Sequence, residues 1–162
     1  MYKKETFTAV ILFFILQICF AQSSFQNLEL GKNSLNYKGN PLKATDRKSL
    51  AFSDKGAWFG FGFLEQSEMQ GGFSGPFLMT EQNGVWLSSS FISLQHTDKN
   101  EQELIDWKTA LVNQNSYNSH LEQEFQNEKL EVKQQLVFSS GHSAIQKTSI
   151  TNRSSKTITL YP

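Results

Sequence analysis

The chain has 162 residues and no formal net charge, because 15 Lys and Arg balance 15 Asp and Glu. This balance gives no electrostatic attraction to nucleic acid or to anionic membranes, so neither is an expected partner. Aromatic residues make up 13% of the chain, with 14 Phe among them. That composition favours a folded, neutral, aromatic-rich domain over a disordered segment.

The first predicted element is a secretory signal peptide over residues 1–21. Lys3 and Lys4 precede an almost wholly apolar stretch, residues 7–20, which ends at the small residue Ala21. A basic start, an apolar run and a small residue are typical of such signals. A membrane span is the alternative, but a bilayer core requires roughly 20 apolar residues and this run is shorter.

Lipid attachment at Cys19 is disfavoured, because Ile18 stands where a small residue is expected. Removal of the signal takes away the chain's one cysteine, so disulfides cannot stabilise the mature part, residues 22–162. We therefore expect an exported protein, periplasmic or extracellular, that has no membrane contact after signal cleavage. Its stability must come from an apolar core, which a chain of this length can form.

The next predicted element is one short strand within residues 28–35, which ends at a turn over residues 38–41. Residues 42–50 are basic and irregular. Residues 51–76 are rich in glycine and aromatic side chains. Since glycine punctuates this block six times, we expect an ordered loop with short strands.

A β-hairpin is predicted around Asn83 and Gly84. Two β-prone runs, residues 77–80 and 85–88, flank this pair. Asn-Gly between two such runs is the strongest short-range hairpin signal. The second strand is expected to continue to His96.

Residues 101–111 allow two interpretations. Leu104, Trp107 and Leu111 are spaced like one face of a helix, which predicts a brief helix there. Residues 107–112 could equally form a strand, and the sequence leaves both alternatives open.

The last third of the chain predicts three strands. Apolar residues recur at every second position over residues 130–138, with Gln134 as the polar exception, which indicates a half-buried strand. Polar turns then separate strands at 144–151 and 157–161. Regular strands with short polar turns predict an all-β, antiparallel β-sandwich over residues 22–162.

The end of the chain carries a further expectation. It stops at Pro162 directly after an apolar strand start. A completed domain usually ends in a polar tail or a docked element, so we expect the sandwich to be incomplete at its C-terminus. A natural end with a terminal edge strand is the alternative.

Two spaced motifs and a following pair carry a family resemblance. The residues concerned are Asp54, Gly56, Ala57, Trp58 and Gly60, then Gly71, Gly72, Phe73 and Gly75, then Thr80 and Glu81. Together they resemble the N-terminal region of bacterial family-63-type glycoside hydrolases. This chain departs from that pattern at Phe59, where family members often carry His, and at Glu65, where they carry proline after leucine.

The resemblance implies the N-terminal β-sandwich of an exported or luminal enzyme that hydrolyses α-linked gluco-oligosaccharides with inversion. In that family the sandwich packs on a C-terminal (α/α)6 barrel that holds the acid and base carboxylates. No residue here matches those carboxylate motifs, so the resemblance implies a supporting domain without catalytic residues or cofactor. The partners it implies are the barrel domain and the oligosaccharide. A free-standing secreted carbohydrate-binding or adhesion module is the alternative.

Trp58, Phe59 and Phe73 are the candidate substrate-binding residues, since flat rings can stack on the apolar faces of sugars. Packing beneath a loop is the favoured alternative for such rings. Gly71 and Gly72 are expected to allow positive φ or close backbone approach, as is Gly75. The two glycine-rich blocks are expected to shape one surface that the missing domain completes.

Catalytic and metal sites are not expected in this chain. The acids nearest the glycine-rich block are Asp54, Glu65, Glu68 and Glu81. An inverting glycosidase needs two carboxyl groups roughly 6.5–9.5 Å apart, and the motif matches give none of these four that role. His96, His120 and His142 lack the spacing of a zinc site, so no metal is predicted.

Overall fold

The computed structural model describes residues 31–38, 41–48, 50–68, 70–79, 84–92 and 104–159. Several predicted features therefore lie outside the described residues. These are the signal peptide, the start of the first predicted strand, Thr80, Glu81, the Asn83 turn residue, His96 and the end of the last predicted strand. No helix in the described ranges has the length and apolar character needed to cross a bilayer.

Two antiparallel sheets form the fold. The first sheet contains β1 (Phe59–Phe63), β2 (Phe73–Leu78) and β3 (Val85–Trp86) in that order, with a 3₁₀ turn at Gln66–Glu68 between β1 and β2. A one-turn helix, α1 (Trp107–Ala110), leads into the second sheet. That sheet contains β4 (Leu111–Ser116), β5 (His120–Gln126), β6 (Leu130–Ser140) and β7 (Ser143–Asn152) in chain order. The sheets pack face to face, which confirms the all-β sandwich.

The inner face of the second sheet follows from strict alternation along β5 and β6. Successive side chains of a strand point to opposite faces, so every second residue is turned to the core. The inward cross-strand pairs are Leu121 with Leu136, Gln123 with Gln134, and Phe125 with Val132. None of these six residues has any exposed surface.

Two apolar clusters cover the inner face of the second sheet. The first joins phenylalanines of the first sheet to the second sheet and contains Phe52, Ala57, Phe61, Phe63, Phe73, Leu121, Leu136 and Phe138. The second contains Leu64, Ile105, Trp107, Ala110, Phe125 and Val132. Burial of each large side chain contributes on the order of 2 kcal/mol, so the aromatic residues of the composition supply much of the folding free energy.

A row of three glutamines, Gln114, Gln123 and Gln134, separates the two clusters and forms what we call the glutamine ladder. The three residues are directly opposite one another on β4, β5 and β6. Gln123 Nε2 donates to Gln134 Oε1 at 2.7 Å, and Gln114 Nε2 donates to Gln123 Oε1 at 3.3 Å. Hydrogen-bonded side-chain amides thus form a row across the inner face of the second sheet.

The glutamine ladder also binds the chain that connects β1 to β2. Gln134 Nε2 donates to Gly71 O at 2.7 Å, and Gln123 Nε2 donates to Gly72 O at 2.9 Å. Gln114 Nε2 reaches Leu64 O at 3.2 Å. Buried backbone carbonyls need partners, and irregular chain cannot supply them from its own ladder. Gln134, the polar exception in the apolar pattern of β6, therefore contributes to the contact between the sheets.

The predicted hairpin is confirmed by its strand pairing, with Leu78 opposite Val85 and Phe77 opposite Trp86. The predicted extension of its second strand to His96 is wrong over the described residues. Ser88 Oγ donates to Ser90 O at 2.7 Å, and this local hydrogen bond gives the backbone an alternative to sheet pairing. The strand consequently ends at Trp86.

Both interpretations of residues 101–111 hold in part, because a helix and a strand follow one another there. Asp106 Oδ1 accepts from Lys108 N at 3.1 Å, which caps α1 at its N-terminus. The helix lasts one turn, and Leu111 then adopts extended backbone with φ −61° and ψ 118°. The helical spacing of the apolar residues correctly predicted a brief helix. The alternative interpretation correctly predicted a strand, which begins at Leu111.

Of the other predicted strands, two are confirmed and two are wrong over their described residues. Residues 130–138 and 144–151 lie in β6 and β7. The described part of the first predicted strand is a turn instead, since Gly31 and Asn33 both have positive φ. Residues 157–159 also form no strand. The sequence interpretation missed β5, because its inward row contains Gln123 between two apolar residues.

Replacing Gln134 by leucine tests the glutamine ladder. Gln134→Leu leaves Gly71 O and one amide hydrogen of Gln123 buried without a partner, so we expect a loss of about 2–3 kcal/mol in the free energy of unfolding. Gln135→Leu is the matched control, because Gln135 points to the outer face and donates to Glu122 Oε2 there. It should cost less than about 1 kcal/mol in the same urea titration. Equal losses would contradict a special role for the ladder.

Candidate functional site

The first glycine-rich block begins with a tight turn over residues 54–57. Ala57 N donates to Asp54 O at 3.0 Å, and Lys55 N donates to Asp54 Oδ1 at 2.7 Å. The two central residues, Lys55 and Gly56, have φ of 56° and 72°. Positive φ at both central positions is characteristic of a type I′ turn. The turn thus reverses the chain just before β1.

Trp58 follows this turn and is the exposed ring among the three predicted sugar contacts. Its side chain is 66% exposed. Its carbonyl accepts from Met79 N at 2.8 Å, so the backbone that carries the ring is held beside the end of β2. A rigidly mounted, solvent-facing tryptophan can stack on the apolar face of a sugar ring.

Phe59 and Phe73 are placed differently. Phe59 is half-buried, with its ring centroid 5.2 Å from that of Phe138 in the facing sheet. Phe73 has no exposed surface, and its centroid lies 6.0 Å from that of Phe63. The ring of Phe73 therefore fills the core, as the packing alternative expected, and leaves no surface for a sugar.

The second glycine-rich block shows why its glycines are needed. Gly71 and Gly75 have φ of 71° and 124°, a region that only glycine adopts freely. Gly72 lies close to the backbone of Phe91, because a Cβ at position 72 would be 2.6 Å from Phe91 O. The prediction of positive φ or close backbone approach at these three positions is confirmed.

The two glycine-rich blocks begin at opposite ends of β1. The first block leads directly into Phe59, whereas the second leads into Phe73, which pairs with Phe63 at the far end of the strand. Gly75 of the second block nevertheless lies against Gly60 of the first, since a Cβ at Gly75 would be 3.0 Å from Gly60 O. That both blocks shape one surface stays a prediction. Each block also packs part of the first sheet against the second. Gly141 lies against the first block, and Gln134 binds the second.

Of the four acids near these blocks, Glu81 lies outside the described residues, and the other three are not set as an acid and a base on either side of a cleft. Asp54 lies in the first turn, and Glu65 and Glu68 lie in one 3₁₀ turn where Glu68 N donates to Glu65 O. Glu65 and Glu68 are exposed to solvent, whereas a general acid is usually set in an apolar pocket. Within the described ranges, no three His, Cys, Asp or Glu residues come together in a way that could hold a metal ion.

Asp46 has a different role, in the segment that covers the outer side of β3. Backbone N–H groups of Lys48 and Leu42 donate to its carboxylate and lower the pKa of Asp46. The carbonyl of the same residue accepts from Trp86 Nε1 at 2.7 Å. The side chain of Asp46 thus fixes the loop conformation in which its own carbonyl accepts the indole hydrogen of the buried Trp86.

A polar cleft of about 270 Å³ lies between residues 31–38 and β4. We call it the amide cleft, and its polar lining consists of Asn33, Asn36, Tyr37, Lys38, Gln114 and Ser116. The sequence interpretation missed these residues as a group. Asn33 and Asn36 flank a single leucine in a polar stretch, which is a turn signal rather than a strand signal. That pattern could have identified one wall of the cleft.

His120 lies at the start of β5 beneath the turn that joins β4 to β5. Its ring stacks on Tyr117, with centroids 4.5 Å apart and an interplanar angle of 14°. Its Nδ1 lies 3.0 Å from Ser119 Oγ, whereas its Nε2 is buried without a hydrogen-bond partner among the described residues. Burial lowers the pKa of His120, and the charge of Glu122 partly opposes this shift.

The lowered pKa of His120 predicts a loss of stability in acid. An unfolded histidine takes up a proton near pH 6.5, whereas the folded protein disfavours the charged form until a lower pH. Stability is therefore complete above about pH 6.5 and falls as the pH drops below it toward the folded pKa. The free energy of unfolding at pH 7.5 and pH 5.5 measures the effect. His120→Phe should shrink the difference and His142→Phe, in the exposed β6–β7 turn, should leave it unchanged; an unchanged difference in His120→Phe would contradict the assignment.

Two matched alanine substitutions separate the roles of the glycine-rich blocks. Gly56 and Gly71 share the same positive φ, so each substitution costs about 1–2 kcal/mol in backbone strain. A Cβ at Gly56 meets nothing within 4 Å, but one at Gly71 would lie 2.6 Å from the buried Trp107 ring. We expect Gly71→Ala to lower the free energy of unfolding by at least about 1 kcal/mol more than Gly56→Ala. Equal costs by urea unfolding would show that Trp107 yields without penalty.

Comparison with known proteins gives a family on the basis of the sequence. The family described as "Glucosidase YgjK, N-terminal" matches residues 38–161, more than three quarters of the chain. No curated protein matches it. The matched range contains both glycine-rich blocks and all seven strands. The chain therefore belongs to the family of glucosidase YgjK N-terminal domains.

Proposed function

We propose that this domain is the non-catalytic N-terminal support of an exported family-63-type glycoside hydrolase. The enzyme would act on α-linked gluco-oligosaccharides with inversion, and its catalytic carboxylates would belong to an (α/α)6 barrel. The observation that carries the proposal is the family match over residues 38–161. The family-63 assignment and the substrate linkage rest on the spaced motifs from Asp54 to Gly75.

The arrangement of acidic side chains supports a role without chemistry. Glycoside hydrolysis with inversion needs a general acid on one side of the bond and a base that activates water on the other. Glu65 and Glu68 are exposed in one 3₁₀ turn, while Asp54 lies at the opposite end of β1. These three acids therefore do not face one another across a cleft.

The domain would hold Trp58 in a fixed position for its enzyme. The first block fixes Trp58 beside β2 through the hydrogen bond from Met79 N to Trp58 O. Its 66% exposed ring would form one rim of a sugar-binding surface that the barrel completes. Phe59, which packs on Phe138, would support that rim from below.

Export is part of the proposal. The basic start and apolar run of residues 1–21 support cleavage after Ala21, which would deliver residues 22–162 to the periplasm or the medium. The β-sandwich over that range would then fold without disulfides, around the two apolar clusters.

A free-standing secreted module that binds carbohydrate or mediates adhesion is the second candidate. The exposure of Trp58 is the observation that favours it, because a lone ring on a rigid turn can bind sugar without a second domain. The two candidates differ in what the isolated domain does with an α-linked oligosaccharide. A free-standing module should bind it tightly, whereas a support domain should show no tight binding.

Secretion followed by an activity assay tests the proposal. We expect the protein recovered from the periplasm or medium to have the mass of residues 22–162 and to release no p-nitrophenol from p-nitrophenyl α-D-glucoside. A mass that retains residues 1–21 would contradict export with cleavage. Turnover that disappears in Glu65→Gln or Glu68→Gln would place chemistry in this domain and refute a support role. Tight, saturable binding of maltotetraose in calorimetry would favour the free-standing module.

A further inference from the structure

The amide cleft carries an inference that is independent of the proposed function. Its two walls are residues 31–38 and the end of β4, and four hydrogen bonds join them, one of which runs from Asn33 Nδ2 to Asn115 Oδ1 at 3.0 Å. Asn33 N donates to Ser116 O at 2.8 Å, Ser116 N donates to Asn33 Oδ1 at 2.8 Å, and Ser116 Oγ donates to Leu35 O at 3.0 Å. The walls are thus fixed before any ligand arrives, which lowers the entropic cost of binding.

The floor of the amide cleft is equally fixed. Phe63 closes it from the core side with a ring that is almost wholly buried. Phe63 N donates to Tyr37 O at 2.8 Å, which attaches the floor to one wall. Gln114 Nε2 donates to Leu64 O at 3.2 Å, which attaches it to the other. A small apolar base therefore lies beneath polar walls.

The chemistry of the walls selects the ligand. The side chains of Asn36, Tyr37 and Gln114 bring amide and hydroxyl groups, and Lys38 brings one ammonium. None of the described residues that line the cleft carries a carboxylate. Amides and hydroxyls both donate and accept, which suits the hydroxyl groups of a neutral polyol. A single lysine gives no bidentate fork for a carboxylate or phosphate.

The size of the cleft limits the ligand to one ring. Pockets for drug-sized ligands have volumes of about 300–1,000 Å³. At about 270 Å³ the amide cleft is below that range. The second cleft, lined by Leu42, Leu64 and Glu68 among others, has about 150 Å³ and a more apolar wall.

We propose that the amide cleft binds a single neutral pyranose unit, with the sugar hydroxyls on Asn36, Tyr37, Lys38 and Gln114. This site is distinct from Trp58. Trp58 precedes Phe59 at one end of β1, whereas the cleft contacts Phe63 at the other end.

A titration followed by NMR tests the proposal on the purified protein. The probes are methyl α-D-glucopyranoside and, as the anionic comparison, methyl α-D-glucuronide. We expect saturable shifts of the Asn36 side-chain amide and of backbone amides at 33–38 and 114–116, with a dissociation constant on the order of 1 mM for so small a ligand. Asn36→Ala and Lys38→Met should each weaken binding about fivefold. Lys108→Met, an equivalent change on exposed α1, should leave it unchanged.

Four outcomes would overturn the site. The first is the absence of saturable shifts up to 100-fold above the expected constant, on the order of 100 mM. The second is a set of shifts centred on Trp58, and the third is equal weakening by Lys108→Met and Lys38→Met. The fourth is binding of the glucuronide without the glucoside, which would show an anion site. The activity assay above is unaffected by any of these results, so failure of the cleft would leave the proposed function standing.

Discussion

The contact between the two sheets depends on a polar row rather than on apolar packing alone. The glutamine ladder crosses β4, β5 and β6 and donates to the carbonyls of Leu64, Gly71 and Gly72. These carbonyls belong to the irregular chain between β1 and β2, which has no ladder of its own there. If the amides were absent, the core would bury unsatisfied carbonyl groups at a cost of about 1–3 kcal/mol each. The ladder therefore fixes how the first sheet sits on the second.

The ladder also explains the character of the second glycine-rich block. A side chain at Gly71 would collide with Trp107, and one at Gly72 would collide with the backbone of Phe91. Because glycine has no side chain, the backbone at Gly71 and Gly72 can lie close enough to β5 and β6 for its carbonyls to accept from Gln134 and Gln123. The glycines and the glutamines are thus two halves of one contact, far apart in sequence and close in space.

The sequence predicted the fold class because hydrophobic alternation and turn residues are local signals. It predicted β6 from its period of two and the hairpin from Asn83 and Gly84. It missed β5 because Gln123 interrupts the apolar row, and the reason for that glutamine is a carbonyl 51 residues away. Local patterns cannot report such a partner.

The candidate site was predicted less well for the same reason. Trp58 and Phe73 both stand beside glycines in the sequence, but one ring faces solvent and the other fills the core. The register of β1 with β2 decides between them, because it pairs Phe73 with Phe63, at the end of β1 opposite to the one that Trp58 precedes. The amide cleft joins segments about 80 residues apart, as the bond from Ser116 Oγ to Leu35 O shows.

Separation of the apolar core into two clusters has a consequence for how the domain tolerates change. Leu121 and Leu136 belong to one cluster and Phe125 and Val132 to the other, with the polar row between them. Four residues along a strand span about 13 Å, which is beyond the range over which core substitutions usually couple. A cavity opened at Leu121 or Leu136 is therefore expected to leave the packing of Phe125 and Val132 intact. Each half of the interior can accordingly vary in side-chain volume on its own.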